Sequence, residues 1–225
     1  YYDATVGMAD EFVGGVLAAL ERAGVSERTL VVVTSDHGEE FGEYTYFGHG
    51  LSLTEEVTRV PLIARLPAGQ RDQGQGRVVA EPASLVDVAP WILGSVGLEP
   101  DPRMAITPPL GPERLRPPGR STLVMELDNH RLRESAVRDD ELKLVVSLAR
   151  EGEALAQEEA RLYDLSGPEG EHQDQAGARP QELARLRAIL SGFHELAQAV
   201  RPRHGGPVDL ETLDLLEELL VDFEG

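Results

Sequence analysis

The run Leu30-Val31-Val32-Val33 stops at Thr34-Ser35 and gives way to Asp36-His37-Gly38. A short, continuous, β-branched run of this kind suits a parallel strand buried on both faces. Upstream, Val6, Val13, Val16, Leu17 and Leu20 recur at spacings near three, four and seven, with Phe12 beside them. That periodicity predicts an amphipathic helix over about residues 4–23, closed by Gly24. Helix followed by buried strand is half of an α/β unit. In open α/β sheets, chemistry gathers just past the carboxyl ends of the strands, which is where Asp36 and His37 fall.

The rest of the chain supplies elements but not a full α/β domain. "SLTEEV" permits a short helix, and "RVPLIARLP" reads as a second strand, with Pro61 near its start and Pro67 closing it. "ASLVDVAPWILGSVGL" has helical spacing through Leu85, Val88, Ile92 and Val96. Ser84 is its expected N-cap, and Pro90 is expected to kink or shorten it. Residues 100–120 hold seven of the fifteen prolines, which marks a boundary or an extended connection. Beyond it, "STLVMEL", "ESAVRD", "LKLVVSL" and "RLYDL" read as four short strands, with a turn at Asp139-Asp140. "PQELARLRAILSGFHELAQAV" is an amphipathic helix with Pro180 in its first turn, and "LETLDLLEELL" is a shorter one. Two strands are too few for a doubly wound sheet. The expected organisation is therefore an α/β portion over 1–110, a Pro-rich connection at 111–120, and a small β-sheet with helices over 121–225.

Composition narrows the chemistry. Among 225 residues, 40 are acidic and 21 basic, for a net charge of −19. A nucleic-acid binder needs a basic footprint, so association with polyanions or anionic membranes is disfavoured. The 41% hydrophobic content supports a sizeable core, and the absence of cysteine removes disulfides, zinc-thiolate sites and a cysteine nucleophile. No stretch reaches the roughly 20 apolar residues of a membrane span. No basic-then-apolar leader is visible, and with Tyr1 in place of an initiator methionine the sequence reads as a processed or partial product.

Asp36 and His37 suit a divalent cation, but neighbours in a regular strand point to opposite faces. Both can serve one ion only if the chain leaves the extended form there, and Gly38 permits a bend. Two ligands do not make a site, and the alternative is a turn capped by Asp36 with His37 solvated. His49, between Gly48 and Gly50, sits on adaptable backbone, as suits a donor or general acid that reaches a substrate oxygen. Its alternative is an exposed loop histidine. Glu39, Glu40, Glu43, Glu55 and Glu56 read as solvated or capping charges, and His130, His172, His194 and His204 as surface. No nucleophile elbow or phosphate-binding glycine loop occurs. From the residues alone, the chain holds half of a metal-dependent site on an α/β scaffold.

The stretch "TLVVVTSDHGEEFGEYTYFGHGLSLTEEVTRVPLIARLPAG" resembles the second signature region of the sulfatases, within the alkaline phosphatase superfamily. "YDATVGMADEFVGGVLAALERAG" resembles the helix before it. "ASLVDVAPWILGSVGL" resembles the family's "VD-x-x-P-T" helix, with Trp91 in place of threonine, and the strands after residue 121 resemble the family's C-terminal sheet. The likeness runs to about residue 199. It implies the C-terminal part of an alkaline-phosphatase-like α/β domain followed by a small antiparallel subdomain. It also implies Asp36 and His37 as ligands of one divalent ion, calcium first, with manganese and zinc open. His49 would be catalytic and substrate-binding, contacting the ester or leaving-group oxygen, while Tyr44 departs from a frequent "GEHG" pattern. The family's nucleophile, a formylglycine in a C/S-x-P-x-R motif or a serine or threonine, has no counterpart in this chain. The expected substrate is a small-molecule or glycan sulfate ester, and the chain alone is expected not to turn over. A phosphodiesterase, phosphonate hydrolase or phosphoethanolamine-type transferase is the alternative within the superfamily, and a non-catalytic binding module the alternative outside catalysis. The resemblance favours a periplasmic or secreted setting over a cytoplasmic one.

Overall fold

A computed structural model describes residues 1–44, 46–70, 76, 78–80, 82–101, 104, 122–151 and 154–200. The Pro-rich connection at 111–120, the helix expected in "LETLDLLEELL" and His204 lie outside these. In chain order the elements are α1 (Tyr2–Arg22), β1 (Val31–Thr34), β2 (Glu40–Phe41), β3 (Phe47–Gly48), α2 (Glu55–Thr58), β4 (Leu62–Arg65), α3 (Val88–Ser95), β5 (Thr122–Asp128), β6 (Leu132–Asp139), β7 (Leu142–Glu151), β8 (Ala154–Asp164) and α4 (Pro180–Val200). The class is α/β. The chain forms two compact units, Tyr1–Ser35 with Pro61–Val78, and Asp36–Val60 with the described residues from Val79 onward. Among the described residues no helix is long and apolar enough to cross a membrane.

In the first unit, α1 ends where glycine was expected to end it. Gly24 adopts φ +65, its N–H reaches the Glu21 carbonyl at 2.9 Å, and Val25 N–H reaches Leu20 at 3.1 Å. This 6→1 and 5→2 pairing satisfies carbonyls that a helix end otherwise strands. β1 pairs antiparallel with β4, Val31 opposite Arg65 and Thr34 opposite Leu62. The expectation of a parallel strand buried on both faces is not met: the pairing described for β1 is antiparallel, and Val31–Val33 are half-buried. A β-branched run specifies extended backbone and a taste for burial, but nothing in it encodes the direction of its partner.

The second unit is built on an antiparallel meander, β5-β6-β7-β8. Asp140 takes φ +51 in the tight turn joining β6 to β7, a conformation that Asp tolerates better than most residues. Strand alternation then sorts side chains to two faces. Val137, Leu144 and Leu162 pack against Leu186 and Leu190 of α4, which begins at Pro180. Each such buried side chain contributes about 1.5–3 kcal/mol. Ala136, Val145 and Tyr163 face the other way and pack on Leu53. A 3-10 turn, Leu85–Asp87, precedes α3, and Pro90 is the third residue of that helix. There its missing N–H costs nothing, the helix is short as one of the two expected outcomes had it, and Trp91 beside Pro90 is fully buried.

Residues 50–58 are held on the second face of the sheet by polar groups. Asn129 donates to the Gly50 carbonyl at 2.7 Å, and Leu53 N–H donates to Glu134 at 2.7 Å. Lys143, with no exposure, lies 3.0 Å from both Glu55 and Glu171, and Arg138 binds Glu55 at 2.8 Å. Glu171 also accepts the backbone N–H of Glu55 at 2.6 Å, in the first turn of α2. Burial pushes the Glu171 carboxyl above the usual carboxylate range, against the pull of the Lys143 ammonium. Breaking such a buried set by removing one member leaves charge uncompensated. Lys143→Ala is expected to lower unfolding free energy by about 3–5 kcal/mol, read from the midpoint shift of urea denaturation.

Candidate active site

Two residues past β1 the chain leaves extended geometry. Asp36 Oδ1 accepts the backbone N–H of His37 at 3.0 Å, and His37 Nδ1 donates to the Gly38 carbonyl at 2.9 Å. The backbone then docks on α2: Gly38 N–H bonds the Val57 carbonyl at 2.7 Å, and Glu39 N–H bonds that of Glu56 at 3.0 Å. Gly38 is needed here for close approach rather than for a positive φ. A Cβ on it would be driven into the Glu56 carbonyl oxygen and would lie 3.0 Å from the Glu56 carbonyl carbon.

A two-residue ladder brings the second histidine back. β2 and β3 pair antiparallel, Glu40 opposite Gly48 and Phe41 opposite Phe47. Extending that register by one places Glu39 across from His49. The His49 Nδ1 lies 3.2 Å from Glu39 Oε1, and the His49 ring stacks on that of His37 with centroids 3.8 Å apart and planes at 28°. Gly48 and Gly50, flanking His49, both have positive φ, the geometry that lets this histidine turn back. Asp36, His37 and His49 are thus brought together, at side-chain exposures of 87%, 40% and 49%.

Three of the glutamates expected to be solvated or capping, Glu39, Glu40 and Glu55, are instead paired with side chains. Glu39 pairs with His49. Glu40, on the next residue and 1% exposed, accepts hydrogen bonds from Ser52 at 2.8 Å and Thr54 at 2.6 Å, tying the hairpin to the segment before α2. Glu55 belongs to the Lys143 network. The sequence context of Glu39 and Glu40, a polar glycine-rich loop, concealed the hairpin that gives both a partner. Glu43 is exposed and caps the Phe41 N–H at 2.5 Å. The Tyr44 ring lies 4.6 Å from that of His172, tilted by 32°, and burial, with the Glu171 and Glu56 carboxylates, pushes its phenol up. His130 and His172 are exposed, as expected, whereas half-buried His194 lies 2.9 Å from Glu126. A cleft of about 580 Å³ is lined by Tyr44, Tyr46, Arg161 and Tyr163 among others, but by none of Asp36, His37 or His49.

His37 with Nδ1 bound to a carbonyl is the tautomer whose Nε2 carries the lone pair, and an oriented ring of this kind is how metal-binding histidines are held. Nε2 lies 3.8 Å from Asp36 Oδ1. Two ligands placed 2.0–2.6 Å from one ion stand roughly 3–5 Å apart, so this pair fits as part of a ligand set. Among the described residues no group of three or more potential ligands converges, so the pair is not a complete set.

The first 98 residues match the Sulfatase family model. This segment is similar to the sulfatase family. It carries Asp36, His37, Glu39 and His49. The chain is 35% identical over 98 residues to an uncharacterized sulfatase, YidJ, of Escherichia coli, covering 44% of this chain and 18% of that protein. It is 38% identical over 110 residues to the steryl-sulfatase of Mus musculus, covering 44% and 17%. It is 37% identical over 98 residues to an N-acetylglucosamine-6-O-sulfatase of Bacteroides thetaiotaomicron, covering 44% and 17%. The chain therefore spans less than a fifth of the length of these sulfatases.

Because Gly38 has no room for a methyl group, Gly38→Ala is expected to push the Asp36–Glu39 segment off α2. Overpacking of this kind costs about 1–3 kcal/mol. Thermal denaturation should report that loss, and the nuclear Overhauser contacts between the His37 and His49 rings should weaken with it.

Proposed function

We propose that these residues form the metal and leaving-group half of a sulfuric ester hydrolase whose nucleophile lies outside the 225 residues. The observation that carries the reading is the convergence of Asp36, His37 and His49 within the segment matched by the sulfatase family model. Asp36 and His37 would hold one divalent cation, with further ligands from outside this set. When bound, such an ion supplies positive charge against the anionic oxygens of the ester and its transferring group. His49 delivers a proton to the oxygen of the departing alcohol, and its hydrogen-bonding ring favours charge developing there. The Gly48 and Gly50 turns present the ring, and the His37 ring beneath it limits its rotation.

The relatives support a sulfate ester as substrate by name. The sequence supports the division of labour, since it contains neither cysteine nor a C/S-x-P-x-R motif. The test compares the 225-residue chain with the complete polypeptide encoded by its gene, on 4-nitrophenyl sulfate and 4-nitrophenyl phosphate. Turnover by a longer polypeptide but not by this chain, with sulfate preferred, is the expected result. Turnover by the 225 residues alone would overturn the placement of the nucleophile, and a preference for phosphate would overturn the substrate. In the active polypeptide, His49→Ala is expected to lower kcat about 10²- to 10⁴-fold. Asp36→Ala should weaken metal retention during dialysis against a chelator, measured by elemental analysis.

A further inference from the structure

We propose that Glu39 is a positioning residue: it fixes the His49 imidazole through Nδ1, so that Nε2 is the nitrogen offered to the leaving-group oxygen. This deepens the reading above and rests on it. A carboxylate only accepts, so the 3.2 Å contact between Glu39 Oε1 and His49 Nδ1 places a proton on Nδ1. The arrangement is held from three sides. The Glu39 backbone is pinned to α2 by its N–H bond to the Glu56 carbonyl at 3.0 Å. The β2–β3 register sets Glu39 across from His49. Gly48, at φ +107, supplies the backbone conformation that turns His49 back toward the carboxylate.

Nothing else described fixes the His49 ring in its own plane. Stacking on His37 restricts tilt but leaves the ring able to flip about Cβ–Cγ, which exchanges Nδ1 with Cδ2 and Nε2 with Cε1. The Glu39 bond selects one of the two orientations. In the reaction His49 acts as the imidazolium, with its Nδ1 proton held on Glu39: the Nε2 proton moves to the ester oxygen as the S–O bond to that oxygen breaks, which leaves the neutral Nδ1–H imidazole. The electron pair of that bond stays on the oxygen, and the sulfuryl group passes to the nucleophile outside this chain. Glu39 touches neither substrate nor metal in this scheme.

Two readouts test it. In the full chain labelled with ¹⁵N-histidine, two-bond ¹⁵N–¹H correlations should show His49 protonated on Nδ1, and Glu39→Ala should erase that preference. A neutral His49 protonated on Nε2 in the wild type would overturn the proposal whatever the activity proves to be. In the active polypeptide, Glu39→Ala should lower kcat about 10- to 100-fold on alkyl sulfates, whose leaving groups need a proton. It should cost little on 4-nitrophenyl sulfate, whose leaving group does not, and KM should hold. Glu39→Gln, whose amide oxygen still accepts from Nδ1, should restore most of the loss. An equal loss on both substrate classes, or a further loss from Glu39→Ala in a His49→Ala background, would mark a merely structural role and overturn it. If no polypeptide hydrolyses any sulfate ester, the catalytic reading fails while the ¹⁵N result still decides the pairing.

Discussion

The buried Lys143 ammonium is the constraint on which the candidate site depends. It sits on the β7 face turned away from α4 and meets Glu55 and Glu171, each at 3.0 Å. Its charge makes it tolerable to bury two carboxylates, and those carboxylates hold the first turn of α2 against the sheet. α2 in turn presents the Glu56 and Val57 carbonyls on which Gly38 and Glu39 dock. The Asp36-His37 bend is therefore located by a chain of contacts running back to one lysine on a distant strand. Ion pairs buried this deeply contribute little net stability over apolar packing, but breaking them is costly. Their effect here is to fix where a glycine-rich loop lies, which apolar contacts with Leu53 alone would leave loosely specified.

Elements governed by local rules were legible in the sequence. The end of α1 at Gly24, the four strands after residue 121, the Asp139-Asp140 turn and the start of α4 at Pro180 each follow from periodicity or from one residue's backbone preference. The candidate cluster was legible in part as residue types. Asp36, His37 and His49 stand out as residue types, and the sulfatase signature marks them. What the sequence did not disclose is the β2–β3 ladder: two residues per strand are too few to show alternation, and "GEEFGEYTYFGHG" reads as loop. Without that ladder, Glu39 and Glu40 look solvated. With it, adjacent glutamates take opposite tasks, one on a histidine and one on two hydroxyls. Glu55 was hidden for a different reason, since its partners lie 83 and 88 positions away and no local pattern encodes them. The antiparallel pairing of β1 belongs with these, because a strand's direction is a property of its partner.

The electrostatics of the cluster constrain what it can bind. The whole chain carries −19, and the cluster itself places the Asp36 and Glu39 carboxylates beside two imidazoles. An anionic ester approaching these groups alone would meet a field of its own sign. The proposed divalent cation at Asp36 and His37 would reverse the local sign, because a bound ion is the largest charge in such a site. The acidic surface and the proposed anionic substrate would then be compatible. The same reasoning separates the roles of the two carboxylates. Asp36, 87% exposed, is open to an ion arriving from outside, whereas Glu39 is turned to His49 and spends its charge on an imidazole ring. A second carboxylate directed at the metal would draw the ion toward the hairpin and away from the substrate oxygens. Directed at Nδ1 instead, it would leave the charge of the proposed cation for the ester and give the His49 ring a fixed orientation.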